Sequence, residues 1–193
     1  MEEQIKQAIE VLRQGGIVIF PTDTAFGIGC RIDDERSIER LFNLRKRPTA
    51  QATPVLFDNK ERVKEYLLPF DSRIEEMMDK YWPGALTIVL PCIIDKVPNL
   101  VRGGGPNLGV RIPDHPIVWD LVKGVGVPIL GPSANFHGEA TPYAFEALDK
   151  ELIKLADYTI EGKTKGLGLT STVVDASKTP WEIIRQGSVR LNE

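Results

Sequence analysis

An α/β fold, a single domain built on an open, twisted and mixed β-sheet flanked by helices, is what this sequence predicts. Apolar residues recur at helical spacing in segments that alternate with short β-branched runs. The last three strand candidates follow one another too closely for a purely parallel sheet. No Pro-, Gly- or Ser-rich stretch is long enough to divide residues 1–193 into two units.

Each element has its own signal. Ile5, Ala8, Ile9 and Leu12 make a stripe ended by Gly15-Gly16, which predicts a helix near 3–14. Ile17-Val18-Ile19-Phe20, closed by Pro21, reads as a buried strand, and residues 21–30 read as the loop after it. Asp33 or Asp34 caps a helix with the stripe Ile38, Leu41 and Phe42, ended by Pro48. Ile74, Met77, Met78 and Tyr81 mark another helix, stopped by Trp82-Pro83-Gly84 before a strand at Leu86–Leu90. Leu108, Val110 and Ile112 share one face of a strand, which turns Arg111 to the other. A helix around Ile117–Val122 and a strand at 127–130 follow. Phe145, Leu148, Leu152 and Leu155 predict one long last helix, with strands near 158–160, 172–175 and 181–185.

Composition bounds the function. With 193 residues, 42% of them hydrophobic and 26% charged, the chain can bury one sizeable core. Its 24 basic and 27 acidic side chains give a net charge of -3, which argues against bulk-charge binding of nucleic acid but leaves room for a local basic patch. Two cysteines, Cys30 and Cys92, make neither a disulfide framework nor a zinc motif, so no protein-held metal is expected. The acidic start Met1-Glu2-Glu3-Gln4 and the lack of a long apolar run lead to the expectation of a cytoplasmic chain with no membrane partner.

Chemistry concentrates in small, hydroxylic or charged residues that packing alone does not require. Thr22 and Thr24 suit donation to a carboxylate or phosphate oxygen, with Asp23 equally suited to capping a turn. Arg45-Lys46-Arg47 reads either as a solvated helix end or as a polyphosphate clamp. Arg111 fits a surface charge or a carboxylate anchor in a cleft. Ser133 and Asn135, two apart, would point the same way in extended chain, and Gly166–Asp175 adds a further glycine and hydroxyl cluster. His115, His137 and Cys30 read as structural, and Ser133 lacks a nucleophile elbow.

Taken in order, Pro21-Thr22-Asp23-Thr24, Arg47-Pro48, Trp82-Pro83-Gly84, Val110-Arg111-Ile112-Pro113, Pro132-Ser133-Ala134-Asn135 and Ser171-Thr172-Val173-Val174-Asp175 resemble the YrdC-like family of threonylcarbamoyl-AMP synthases, from about Gly15 to Arg185. The resemblance implies a deep, positively charged cavity that takes ATP with Mg²⁺, L-threonine and bicarbonate. It implies as products threonylcarbamoyl-AMP and pyrophosphate, and downstream a transferase that modifies the tRNA adenosine beside the anticodon. By motif, Thr24, Arg111 and Ser171 would hold threonine. Arg45, Lys46, Arg47, Asn107, Ser133, Asn135, Thr141 and Arg185 would hold the nucleotide, and Arg47 and Arg111 would act in catalysis.

The sequence departs from the family pattern at Phe26, at Thr170 and at the basic cluster. There Arg45 and Lys46 are both open as the replacement for a lysine. The chain resembles the short members of the family. Two other readings stay open: a non-catalytic module that binds tRNA or double-stranded RNA, and a carbamoyl-transfer domain. As a cleft residue without a known partner, Arg111 is expected to tolerate replacement by alanine without loss of folding.

Overall fold

Residues 1–191 are described by a computed structural model of the chain. Its helices are α1 Glu2–Arg13, α2 Glu35–Leu44, α3 Lys60–Lys64, α4 Ser72–Tyr81, α5 Pro116–Val125 and α6 Lys150–Leu155. Its strands are β1 Val18–Pro21, β2 Phe26–Gly29, β3 Val55–Leu56, β4 Leu86–Pro91, β5 Asn107–Arg111, β6 Ile129–Leu130, β7 Tyr158–Thr159, β8 Thr172–Asp175 and β9 Glu182–Arg185. The strands form two ladders, β2-β1-β7 and β6-β3-β5-β4-β8-β9.

Backbone hydrogen bonds join the ladders along the open edge of β2. Ile28 N donates to Pro132 O, Leu130 N to Cys30 O and Ala134 N to Phe26 O, at 2.8–2.9 Å. The order β7-β1-β2-β6-β3-β5-β4-β8-β9 is therefore nearly continuous. Parallel pairs (β1 with β7, β3 with β5, β4 with β8) sit among antiparallel ones, so the sheet is mixed, as expected. The seam needs a glycine: a Cβ on Gly29 would lie 1.8 Å from the carbonyl oxygen of Leu130.

Helices cover the sheet because their apolar stripes must be buried. α1 and α5 pack together through Ala8, Leu12, Ile117, Val118, Leu121 and Val122, against Val18 and Phe20 of β1. Ile38, Leu41 and Phe42 of α2 join Met77 and Met78 of α4 in the larger core. Asp34 caps α2 by accepting from the backbone N–H groups of Arg36 and Ser37.

Several sequence expectations are corrected. Residues 26–29 are not loop but the second arm of a hairpin, because Thr22 closes a tight turn by donating from Oγ1 to Ala25 O (2.7 Å). The long helix expected across Phe145–Leu155 is a 3₁₀ turn at Phe145–Ala147 followed by α6. Asp149 separates the two in an extended conformation and caps α6 through Glu151 N and Leu152 N. α2 ends at Leu44, short of Pro48. The strand near 158 leaves the C-terminal group and pairs with β1.

Candidate functional site

One residue row crosses the larger ladder and becomes the floor of a cleft. Leu56 on β3 pairs with Arg111 on β5, Thr87 on β4 pairs with Val173 on β8, and Val173 pairs with Arg185 on β9. Ile88 lies opposite Val110, so the continued antiparallel register sets Thr87 opposite Arg111. Leu56, Arg111, Thr87 and Arg185 all line the same cleft, which encloses about 640 Å³ of empty space counting its mouth. That size is ordinary for small-molecule sites, roughly 300–1,000 Å³.

The β1–β2 hairpin closes one wall. It brings Asp23 and Thr24 onto Arg111, whose guanidinium donates from Nη2 to Asp23 Oδ1 (2.5 Å), from Nη1 to Thr24 Oγ1 (3.1 Å) and from Nε to Gly84 O (3.0 Å). The ion pair is deeply buried, with side-chain exposures of 7% and 2%. Arg111 has five N–H groups, so two remain to grip a planar anion. Thr22 takes no part in that contact, since its hydroxyl is spent on the turn.

The segment after β6, which pairs with β2, continues this wall, and the turn after α2 adds its cations to the cleft. Arg45, the C-cap of α2, is 2% exposed and donates from Nε to Asn135 O (3.0 Å), while its Nη1 is buried with no hydrogen-bond partner among the described residues. Lys46 adopts φ 54°, and this left-handed residue turns its own ammonium out over the Phe136 ring and lets Arg47 return to the cleft. Of the two, Arg45 is thus the inward cation. Arg47 spends Nε and Nη2 on the carbonyls of Gln51 and Ala52, fixing the loop that carries Pro54 into the wall. At the rim, Arg185 donates to the carbonyl and hydroxyl of Ser171 (2.9–3.1 Å).

Four guanidiniums therefore face one cleft whose nearest carboxylate, Asp23, is already paired. Burial, and then the neighbouring Arg47, lowers the pKa of Arg45 to about 10; burial lowers that of Arg47, and burial followed by Arg111 lowers that of Arg185. All stay charged at neutral pH, so their cost in the empty cleft is relieved by a bound polyanion. Tripolyphosphate is accordingly expected to raise the Tm, since a ligand at about 100 times its Kd adds roughly 2.7 kcal/mol. The rise should shrink with added salt. A melting curve unmoved by tripolyphosphate at low salt would contradict an anion site here.

The cleft unites Thr24, Arg45, Arg47, Arg111, Ser133, Ser171 and Arg185. Lys46, Asn107, Asn135 and Thr141, expected beside the nucleotide, do not line it. Asn107 shares the face parity of Arg111 but stands four residues away, roughly 13 Å along an extended strand, and donates to Ser177 Oγ. Asn135 does not run parallel to Ser133, because its N–H bonds back to Ser133 O in a tight turn. Its Nδ2 then donates to the carbonyls of Phe136 and Glu139, which makes it a brace for the loop behind Arg45. Thr141 precedes Pro142, whose carbonyl accepts from Phe26 N, and stands outside the lining.

Sequence reasoning missed two residues. Asp23 was read only as a turn cap, and Thr87 as part of a strand; a lone hydroxyl inside Leu86-Thr87-Ile88-Val89-Leu90 is the signal that was available. His115 is buried with Nε2 on the carbonyl of Lys163, and burial lowers its pKa, in keeping with a structural role. Burial drives the Cys30 thiol far above its ordinary pKa, which leaves it inert as a nucleophile.

Comparison with known proteins adds an independent line. The Sua5/YciO/YrdC family model, described as "Telomere recombination", matches residues 10–187. The threonylcarbamoyl-AMP synthase of Bacillus subtilis is 29% identical over 188 residues, 97% of this chain and 54% of its own length. That of Vibrio parahaemolyticus is 29% identical over 187 residues, 96% of this chain and 100% of its own length. The crystal structure of Pyrococcus abyssi Sua5 complexed with L-threonine matches at a TM-score of 0.90 and 29% identity, over 97% of this chain and 55% of that one. The chain thus spans about half the length of the Bacillus and Pyrococcus proteins and the full length of the Vibrio one.

Proposed function

The chain belongs to the Sua5/YciO/YrdC family, and from that membership we propose that it is a threonylcarbamoyl-AMP synthase, which condenses L-threonine, bicarbonate and ATP into threonylcarbamoyl-AMP and pyrophosphate. The observation that carries this reading is the division of one cleft into two ends. Arg111, oriented by Asp23, Thr24 and Gly84, suits a carboxylate; Arg45, which has no carboxylate partner among the described residues, suits a phosphate chain together with Arg47. The relatives named for this reaction, and the relative solved with threonine, support the assignment of substrates.

The chemistry asks for placement more than for an acid or base. The amine of threonine forms an N–C bond with carbon dioxide drawn from bicarbonate and gives up a proton. A carbamate oxygen then attacks the α-phosphorus of ATP as the bond from that phosphorus to the bridging oxygen breaks. Pyrophosphate leaves with the electron pair. The guanidiniums hold the two reactants in line and offset the charge that builds on the leaving group. Mg²⁺ enters with ATP as part of the substrate, coordinated mainly by phosphate oxygens. The product would pass to a separate transferase that acts on tRNA, in the cytoplasm. No helix among the described residues is long and apolar enough to cross a membrane. Because the guanidiniums lie within a cleft, they suit a small polyanion better than an RNA backbone.

Incubation with Mg·ATP, labelled bicarbonate and threonine is expected to yield threonylcarbamoyl-AMP, with pyrophosphate release that needs both threonine and bicarbonate and stops with excess chelator. Pyrophosphate release at the same rate without threonine would refute the synthase reading.

A further inference from the structure

The segment between β7 and β8 is held at both ends and loose between them. At the first end His115 donates from Nε2 to Lys163 O (3.1 Å), Thr164 Oγ1 donates to Tyr143 O (2.6 Å), and Lys165 pairs with Asp114. At the second end Thr170 O accepts from Ser188 N (3.0 Å), and Ser171 Oγ accepts from Arg185. Between these tethers the backbone N–H groups of Leu167, Gly168 and Leu169 have no hydrogen-bond partner among the described residues. Gly166 (φ 73°) and Gly168 (φ 61°) take left-handed conformations, with open space where a Cβ would stand. Leu167 and Leu169 are 51% and 52% exposed, and neither lines the cleft.

The tethers stand on either side of β4. Asp114 and His115 follow Arg111 at the end of β5, Ser171 leads into β8, and β4 lies between those two strands. Since β5 is antiparallel to β4 and β8 parallel to it, the end of β5 and the start of β8 share one end of the sheet. Arg111, Thr170 and Ser171 line the cleft there, so the loose span adjoins the end that holds the guanidinium of Arg111. Its first tether is fixed to the very turn that follows that arginine.

We propose that residues 166–169 are a strap that closes over the cleft when threonine and the nucleotide are bound, with Leu167 and Leu169 as its water-excluding face. The purpose assigned to closure rests on the synthase reading above. A water oxygen that bonds to the carbonyl carbon of threonylcarbamoyl-AMP breaks the link to the phosphate. It leaves AMP and a carbamic acid, which sheds carbon dioxide and returns threonine. Apolar side chains laid over the reactants exclude that water, and their own exposure in the empty protein is relieved by closing.

Hydrogen exchange and product partition test the proposal. With Mg²⁺, threonine and α,β-methylene-ATP, which cannot release pyrophosphate, the amides of residues 166–169 are expected to exchange about ten-fold more slowly than in the empty protein. In a single turnover quenched before released product decays, Leu167→Ser with Leu169→Ser should raise the AMP formed per pyrophosphate about ten-fold over wild type. The double variant should melt close to wild type, because both side chains are half-exposed. Calorimetry on the same samples reports ligand binding. Strap amides that stay unprotected with both ligands bound, or a double variant with the wild-type partition, would overturn the proposal and leave the synthase reading standing. Wild-type protein that binds neither ligand would bring down both.

Discussion

Arg111→Ala is expected to abolish detectable threonine binding and also to destabilise the fold, lowering the Tm by about 6–20 °C. The second effect reverses the expectation drawn from sequence. Arg111 is the only group among the described residues in an ion pair with Asp23, whose side chain is 2% exposed. Removal of one partner of a buried pair strands the other charge, at a cost of about 3–5 kcal/mol. In a chain of this size each kcal/mol moves the Tm by roughly 2–4 °C. Thr24 Oγ1 and Gly84 O lose their donor as well. A double replacement, Asp23→Asn with Arg111→Ala, should recover much of the stability and none of the threonine affinity. Denaturant unfolding and calorimetric titration of the single and double variants make the check. Wild-type threonine affinity in Arg111→Ala would remove the residue from the site, and wild-type stability would show that the ion pair does not hold the hairpin.

Arg45→Met should behave in the opposite way: nucleotide affinity falls roughly 10- to 150-fold, while the ligand-free protein melts at or above the wild-type temperature. Arg45 is buried without a carboxylate partner among the described residues, and its pKa of about 10 in the fold, below the usual guanidinium value, says that the empty protein holds this charge at a cost. The sign follows from linkage. The folded state binds this proton less tightly than the unfolded state, so the penalty is fully present below about pH 10 and is relieved only as pH rises beyond it. Methionine has a similar length and no charge, and replacing buried ionic groups by apolar ones is often neutral or stabilising. Offsetting part of that gain is the hydrogen bond to Asn135 O. With ATP, each lost charge-assisted bond is worth about 1.5–3 kcal/mol. ATP titration and thermal melts of the empty protein decide it. Unchanged ATP affinity would remove Arg45 from the phosphate site, and a destabilisation as large as that of Arg111→Ala would mean that its charge is paired in the empty protein.

The contrast between these two arginines marks the boundary of what could be read without a fold. Both stood out in the sequence as cations that packing did not need. Their opposite expected effects on stability depend on Asp23, 88 positions from Arg111 in the chain, and on the lack of a carboxylate partner for Arg45 among the described residues. Arg45 and Lys46, adjacent in sequence and alike in charge, face opposite ways because one residue takes a left-handed backbone conformation at the end of α2. Asn107 and Asn135 fitted their motif spacing, yet strand length in the first case and a turn in the second carry them away from the cleft.

By itself, then, the sequence determined the local elements and the inventory of reactive groups. Helical stripes such as Ile38, Leu41 and Phe42, the cap at Asp34 and the strand at Leu86–Leu90 follow from periodicity and short-range bonding, which residues a few positions apart are able to specify. The motif order also placed the chain in its family. The short strand Val55–Leu56 escaped notice because two residues carry no period, whereas Ile129–Leu130 falls inside the strand expected at 127–130. Only the tertiary structure decided which groups meet. Leu56, Arg111, Thr87 and Arg185 become neighbours through strand register, and Asp23 reaches Arg111 through a hairpin docked against the sheet. Those juxtapositions come from long-range pairing, whose energy resides in the assembled sheet and core and in no single stretch of chain.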